Sequence, residues 1–337
     1  MSGQIADLAQ EHPPRHAALK RALLTYGPLV AALIIEIIIF EIIGRRQDNP
    51  GFASLNILIL ILNQSAVFGI MAVGMTLIII TGGIDLSVGS LMAFAGVACA
   101  MVVQWGGEPL WAWIVMAWIV ALLVGALSGA VSGALITRFG IPPFIATLAL
   151  MSTVRGMGNL MTSGKPISPM PEAYDWIGRY QIAGRVPVSV LIFLGVLVLG
   201  AVMLNHTRFG RHVRAIGGSE ESARLSGVNV GRVKFAVYVF GGALTALAGV
   251  ILSSRLGAGS PKVGVGDELS VIAAVVVGGT SLSGGRGSIG GTFVGLLVVS
   301  VLSSGLNWIG VETFGQQVTL GIVILGAVLL DRLKSFD

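Results

Sequence analysis

The chain has 337 residues, of which 54% are hydrophobic and only 11% charged, with a formal net charge of +5 and one cysteine. An ordinary soluble domain carries roughly a quarter of its residues as charges, so this chain cannot cover itself with charge and lipid must solvate most of its exterior. Cys99 alone excludes an internal disulfide framework or a multi-cysteine metal site. The basic surplus falls at the ends of apolar runs, where membrane topology explains it better than nucleic-acid binding.

A membrane-crossing helix needs about 20 mostly apolar residues. In chain order, the runs that approach this are 24–43, 55–80, 86–103, 111–136, 143–161, 186–204, 235–256, 270–279, 289–306 and 318–330. The first has no small-residue cleavage pattern behind it and reads as a retained helix. The eighth is short and flanked by glycine, so it reads as a re-entrant half-helix. The expected fold is therefore an all-α integral membrane protein of about ten transmembrane helices. Residues 1–22 read as a cytoplasmic N-terminal tail, 23–332 as the transmembrane domain with a cytoplasmic loop at 205–234, and 333–337 as a C-terminal tail.

Orientation follows from Lys and Arg. Arg15, Lys20 and Arg21, Arg138, the group from Arg208 to Lys234, and Arg332 with Lys334 all fall on one side of a ten-span chain, which the positive-inside bias makes cytoplasmic. Arg45 and Arg46 dissent, because they follow the first span.

An internal duplication is expected. Gly82-Gly83-Ile84-Asp85-Leu86-Ser87 resembles Gly278-Gly279-Thr280-Ser281-Leu282-Ser283, each after an aliphatic run, and Gly125, Gly129 and Gly133 are spaced like Gly287, Gly291 and Gly295. Transporters are often built from such repeats. The largest outer segment, about 162–185, holds Tyr174, Trp176 and Tyr180 and has room for one short interfacial helix.

The sharpest motif runs from Thr81 to Ser90. It interrupts an apolar stretch with glycines, a carboxylate and hydroxyls, and such a backbone break is tolerated in a membrane only where protein buries it or a water-filled cavity reaches it. Asp85 has two readings. It caps the following helix through the free N–H groups near Ser87 and Val88, or it meets the solute or takes part in gating. The candidate pathway residues are Asn63, Gln64, Thr81, Asp85, Ser87 and Asn159, with Ser65, Thr76, Thr147, Ser152, Thr153 and Asn307 as further polar residues inside spans. Ser and Thr in membrane helices more often bond to backbone carbonyls, so the adjacent amides Asn63 and Gln64 rank first.

The second motif lies in the basic loop. Ser219, Glu220, Glu221, Ala223, Arg224, Leu225 and Gly227 compose a short helix, with Ser219 as N-cap, the two acids in the first turn and Gly227 as a left-handed stop. A helix so short is unstable alone, so it must dock, with Ala223 and Leu225 supplying apolar contact. It has two readings: a docking helix for a cytoplasmic partner, ranked first, and a surface helix packed on its own protein. No P-loop occurs, nor a zinc-ligand cluster or nucleophile elbow. The chain is thus expected to be non-enzymatic, with no metal and no cofactor of its own.

The run Gly74-Met75-Thr76-Leu77 through Thr81–Ser90 resembles the signature of bacterial ABC-type sugar permeases of the ribose, xylose and arabinose kind. Pro142–Leu148, Ala215–Gly218 with Ser226-Gly227-Val228, and Gly278–Leu282 with Gly285-Arg286-Gly287 are similar to the same family, and the likeness covers roughly residues 24 to 332 in order. The resemblance implies a type II importer-like permease in the bacterial inner membrane. It further implies a second permease subunit (a homodimer or heterodimer), a cytoplasmic ATP-binding subunit that receives the 219–227 helix, and a periplasmic sugar-binding protein. The cargo would be a sugar or related polar carbohydrate, moved by alternating access. The rival reading is an ion-coupled secondary transporter centred on Asp85.

Overall fold

The computed structural model describes residues 15–46 and 51–333. The stretches 1–14 and 334–337, expected as tails, lie outside them. Thirteen α-helices follow one another among the described residues: α1 (Arg15–Arg46), α2 (Leu55–Ile80), α3 (Val88–Trp105), α4 (Leu110–Arg138), α5 (Pro143–Thr162), α6 (Trp176–Arg179), α7 (Val188–His206), α8 (Arg208–Gly218), α9 (Glu220–Leu225), α10 (Val230–Leu256), α11 (Asp267–Val277), α12 (Ile289–Trp308) and α13 (Thr313–Leu333). The β content described is one small hairpin, β1 (Gln181–Ile182) with β2 (Val186–Pro187), antiparallel in the register Gln181↔Pro187 and Ile182↔Val186.

Helices occupy all ten expected positions, but among the described residues only seven are long and apolar enough to cross a bilayer: α1 over its Tyr26–Arg46 part, α2, α3, α4, α7, α10 and α12. The other three fall short for different reasons. α5 has the length but carries Arg155 and Asn159. α11 has 11 residues, about 17 Å at 1.5 Å per residue against a hydrocarbon core of about 30 Å. α13 is apolar over the shorter stretch Thr313–Leu329.

α2 is the central helix. Its second half is buried against α7, α10, α11 and α12. Between membrane helices there is little hydrophobic driving force, so close packing of small residues and hydrogen bonds must hold them. Both are present. Gly125 and Gly129 of α4 lie directly on the backbone of Gly242 and Tyr238 in α10, with no room for a β-carbon. Thr76 Oγ1 in α2 and Thr292 Oγ1 in α12 are 2.7 Å apart. Most intramembrane hydroxyls bond back along their own helix, Ser65 to Ile61 O at 2.6 Å and Thr245 to Gly241 O at 2.9 Å, as residues of this type tend to do.

The connectivity puts the ends of α2 and α4, the starts of α5, α10 and α12, and all of α8 and α9 at one end of the bundle, together with Arg138, Arg208, Arg211, Arg214, Arg224, Arg232 and Lys234. At the opposite end, Arg45 of the dissenting pair is bound by Glu41 at 2.5 Å, which offsets one of its two charges. There the segment 162–187 forms a strap over α10. Tyr174, in a 3-10 turn over Glu172–Asp175, is fully buried and its hydroxyl meets Ser253 Oγ at 2.5 Å. Burial pushes that phenol well above its usual pKa range. Ser254 Oγ donates to Tyr174 O and accepts from Gly178 N, Arg179 Nε donates to Arg255 O, and Ile167 bridges Gly259. The expected interfacial helix is only the single turn α6, whose Trp176 and Tyr180 rings stack at 6.0 Å and stay half exposed.

Candidate functional site

The break after α2 is closed by its own backbone. Gly82 takes φ +77°, so Gly82 N donates to Ile79 O and Gly83 N to Ile78 O, at 2.9 and 3.0 Å. This is the left-handed termination that glycine permits. The break after α11 repeats it: Gly279 takes φ +87°, Gly279 N donates to Val276 O and Thr280 N to Val275 O. The two breaks therefore share a geometry, but with Gly82 matching Gly279 rather than Gly278, one residue away from the alignment the sequence suggests.

Asp85 is 2% exposed, and its Oδ1 accepts from Ser87 N at 2.8 Å and Ser87 Oγ at 2.6 Å. Ser87 N is one of the N–H groups the capping reading named, but it belongs to the residue before α3, whose N-cap Ser87 makes no side-chain cap bond. Asp85 therefore closes the turn ahead of the helix. Thr147 of α5 accepts from Leu86 N at 3.2 Å and so ties the break to α5. The Tyr238 hydroxyl of α10 stands over Gly83, buried and without a hydrogen-bond partner. Thr81, Asp85 and Ser87 are thus enclosed by protein, and the structure does not bring them together with Asn63 and Gln64.

The open polar surface lies elsewhere, on the half of α2 nearer the strap. Gln64 sits nine residues after Leu55, about 13 Å along the helix at 1.5 Å per residue. It is exposed on the single chain at a depth where an amide facing lipid would be costly. Around it a cleft of about 220 Å³ runs between α2 and α12, with Ser303, Ser304, Asn307 and Gln316 on the far wall. A neighbouring recess of about 110 Å³ continues past Ser270 and Ser300. These two fall below the roughly 300 Å³ of a ligand-enclosing pocket, whereas the recess on the Asn63 and Arg255 side of Gln64 reaches about 350 Å³. Asn63 points to the adjacent side, where its Oδ1 accepts from Ser189 Oγ at 2.6 Å. Asn159 is apart from both: its Nδ2 donates to Arg155 O, one turn back on α5.

The short helix is present as expected. Ser219 Oγ accepts from Ser222 N at 3.2 Å, and Gly227, at φ +82°, ends the turn with Val228 N donating to Ala223 O at 3.0 Å. Glu220 is bound by Lys234 of α10 at 2.5 Å and lies 3.4 Å from Arg224. Ala223 is buried against the protein itself, whereas Leu225 is 84% exposed. Of the two residues expected to supply apolar contact, Ala223 therefore anchors α9 and Leu225 faces away. Glu221 is also exposed. The root of the helix is tightly seated. Gly217, at the end of α8, touches the Ile80 carbonyl at the end of α2 and Gly285 of the loop after α11, and Gly285 N donates to Ile80 O at 2.9 Å.

Two groups escaped the sequence reading. Arg155, midway along α5, donates to the carbonyls of Pro261, Val263 and Gly264 at 2.5–3.1 Å and feels the charges of Asp267 and Glu268. It holds the segment that leads into α11. Arg255 of α10 donates to Asn63 O at 3.1 Å. A cation inside the 143–161 run, and an acid pair just before the half-helix, were the available signals.

The model of the family described as branched-chain amino acid transport system / permease component matches residues 57–330. The chain belongs to this permease family. The permease is 46% identical over 312 residues to the ribose import permease protein RbsC of Bacillus subtilis (strain 168), covering 92% of this chain and 93% of the relative. It is 42% identical over 321 residues to RbsC of Escherichia coli (strain K12), covering 94% and 96%. It is 36% identical over 375 residues to the xylose transport system permease protein XylH of the same strain, covering 94% and 93%. No solved structure matches. The resemblance carried by the glycine-rich motifs is thereby borne out: the permease is a multi-pass ABC-type permease of the bacterial inner membrane, with seven helices able to cross it.

Proposed function

We propose that this permease is the membrane subunit of an ATP-driven importer for a neutral sugar of pentose size, working by alternating access. The relatives named for ribose and xylose support the cargo. The observation that carries the reading is the seating of α9. A short helix, fully capped and pinned to α10, presents Leu225 outward, while its root contacts both glycine breaks through backbone atoms.

In this reading α9 is the coupling element for a separate cytoplasmic ATP-binding subunit, with Leu225, Glu221 and Arg224 on the docking face and Ser219, Glu220, Ala223 and Gly227 keeping the helix folded. The basic end faces the cytoplasm, and the strap faces a periplasmic sugar-binding protein. A second permease copy or paralogue completes the passage, and the seven crossing helices, with α11 as a half-helix among them, follow the type II importer plan. ATP-driven closure of the partner favours one permease state by binding it more tightly, which is the only way a ligand can shift such an equilibrium. The permease itself performs no covalent chemistry. Gln64 and the hydroxyls of α12 line the route, with Asn63 beside it. Thr81, Asp85 and Ser87 support it from within the protein.

Leu225→Asp tests this. ATPase co-purification and sugar uptake should both fall at least tenfold while the permease stays folded; unchanged assembly and uptake would refute the coupling role. The ion-coupled rival gains no support from Asp85, whose Oδ1 is engaged by Ser87.

A further inference from the structure

The recesses that meet at Leu60 and Gln64 have a consistent charge character. Toward α10 the wall holds Asn63, Gln64 and Arg255. Toward the hairpin it holds Asn56, Gln181 and Arg185. Toward α12 it holds Ser303, Ser304 and Asn307. Among the described residues none of these walls contains a carboxylate. Arg255 is half buried. Its Nη1 donates to the Asn63 carbonyl at 3.1 Å, and a planar guanidinium carries four further N–H donors. Asn63 Oδ1 is taken by Ser189, which leaves its amide N–H groups as donors.

We infer that this vestibule is a donor-rich carbohydrate subsite, in which Arg255, Asn63 and Gln64 grip solute oxygens before the solute passes along the serine face of α12. The subsite takes neutral sugars and sugar carboxylates, and it turns away cationic amino sugars. The physical reason is asymmetric. A sugar hydroxyl or carboxylate accepts from an arginine fork and from amide N–H groups. An ammonium group brings only donors, finds no carboxylate on these walls, and is repelled by the guanidinium in a partly desolvated site. Charge selection would then belong to the membrane subunit as well as to any delivering protein. The inference rests on the sugar-permease reading above.

The test separates the two. The permease is assembled with its ATP-binding subunit in nanodiscs, and saturation-transfer NMR follows D-ribose, D-ribonate and 2-amino-2-deoxy-D-ribose, since this method detects weak binding. Wild type should show ribose and ribonate and not the amine. Arg255→Gln should lose the ribonate signal at least fivefold more than the ribose signal. Gln64→Glu, matched in size at a position exposed on the single chain, should raise the amine signal at ribonate's expense. If both variants keep wild-type preference, the subsite is refuted even though ATP-driven uptake is normal. If wild type binds the amine as well as ribose, the charge argument is overturned. Loss of ATP-dependent uptake in wild type itself would instead refute the importer reading.

Discussion

Replacing Gly217 by alanine strikes the junction where α8, α2 and the loop after α11 meet. A β-carbon built there would lie 1.8 Å from Ile80 O and 2.9 Å from Gly285 Cα, both backbone atoms that cannot swing aside. Restoring ordinary contact requires a shift of about 1.5 Å, and overpacking of this kind costs about 1–3 kcal/mol. The shift would also break the Gly285 N to Ile80 O hydrogen bond, worth about 0.5–1.5 kcal/mol. The total of about 1.5–4.5 kcal/mol corresponds to a roughly 10- to 1,600-fold population change, at about 1.4 kcal/mol per tenfold. The α8–α9 unit should therefore unseat from α2 while its outward face stays intact. In proteoliposomes holding the assembled transporter, sugar uptake should fall at least tenfold while ATP hydrolysis and subunit assembly persist. Gly218 supplies an internal control, since a β-carbon there meets nothing within 4 Å, and Gly218→Ala should transport normally. Wild-type uptake by Gly217→Ala, or equal damage from both substitutions, would refute the role of the junction.

Other substitutions probe the remaining contacts. Gly129→Ala forces α4 off the Tyr238 backbone of α10 and should lower stability by about 1–3 kcal/mol, seen as a reduced midpoint in fluorescence-monitored unfolding; an unchanged midpoint would contradict the close approach. Arg155→Met removes donors from Pro261, Val263 and Gly264 and should cost about 2–4 kcal/mol, given that charged hydrogen bonds contribute roughly 1.5–3 each and share one side chain. Protease accessibility of the 257–266 segment should rise, and Arg155→Lys should rescue it partly. Asp85→Asn keeps an oxygen for Ser87, so uptake and its pH profile should stay close to wild type, whereas Asp85→Leu should destabilise the start of α3. A pH profile reshaped by Asp85→Asn would favour a titrating role instead.

Local chemistry made much of this legible in advance. Ser219, the Glu220–Glu221 pair and Gly227 announce α9 because capping and helix-dipole preferences act over only a few residues, and Gly82 announces the break after α2 for the same reason. Leu225 and Ala223 looked equivalent, because which apolar residue of a short helix turns inward depends on how it packs against α8 and α10, which the capping residues do not reveal. Ser303 and Ser304 were invisible as wall residues, since hydroxyls in apolar runs usually bond to their own helix, and only the packing of α12 beside α2 exposes them. The candidate path was split for a related reason. Polarity inside a span marks both buried turn residues such as Asp85 and open surface such as Gln64, and composition does not separate them.

The strap gives the loop 162–187 no freedom of its own. Its Tyr174 and Arg179 are fastened to residues 253–255 of α10, while at the far end of the same helix Lys234 grips Glu220 of α9. α10 has 27 residues, a rod of about 40 Å at 1.5 Å per residue. A continuous helix of that length transmits tilt far better than it absorbs it. Whatever rocks α9 on one side of the bilayer must rock the Trp176–Tyr180 surface on the other, as the two arms of a balance move about one beam.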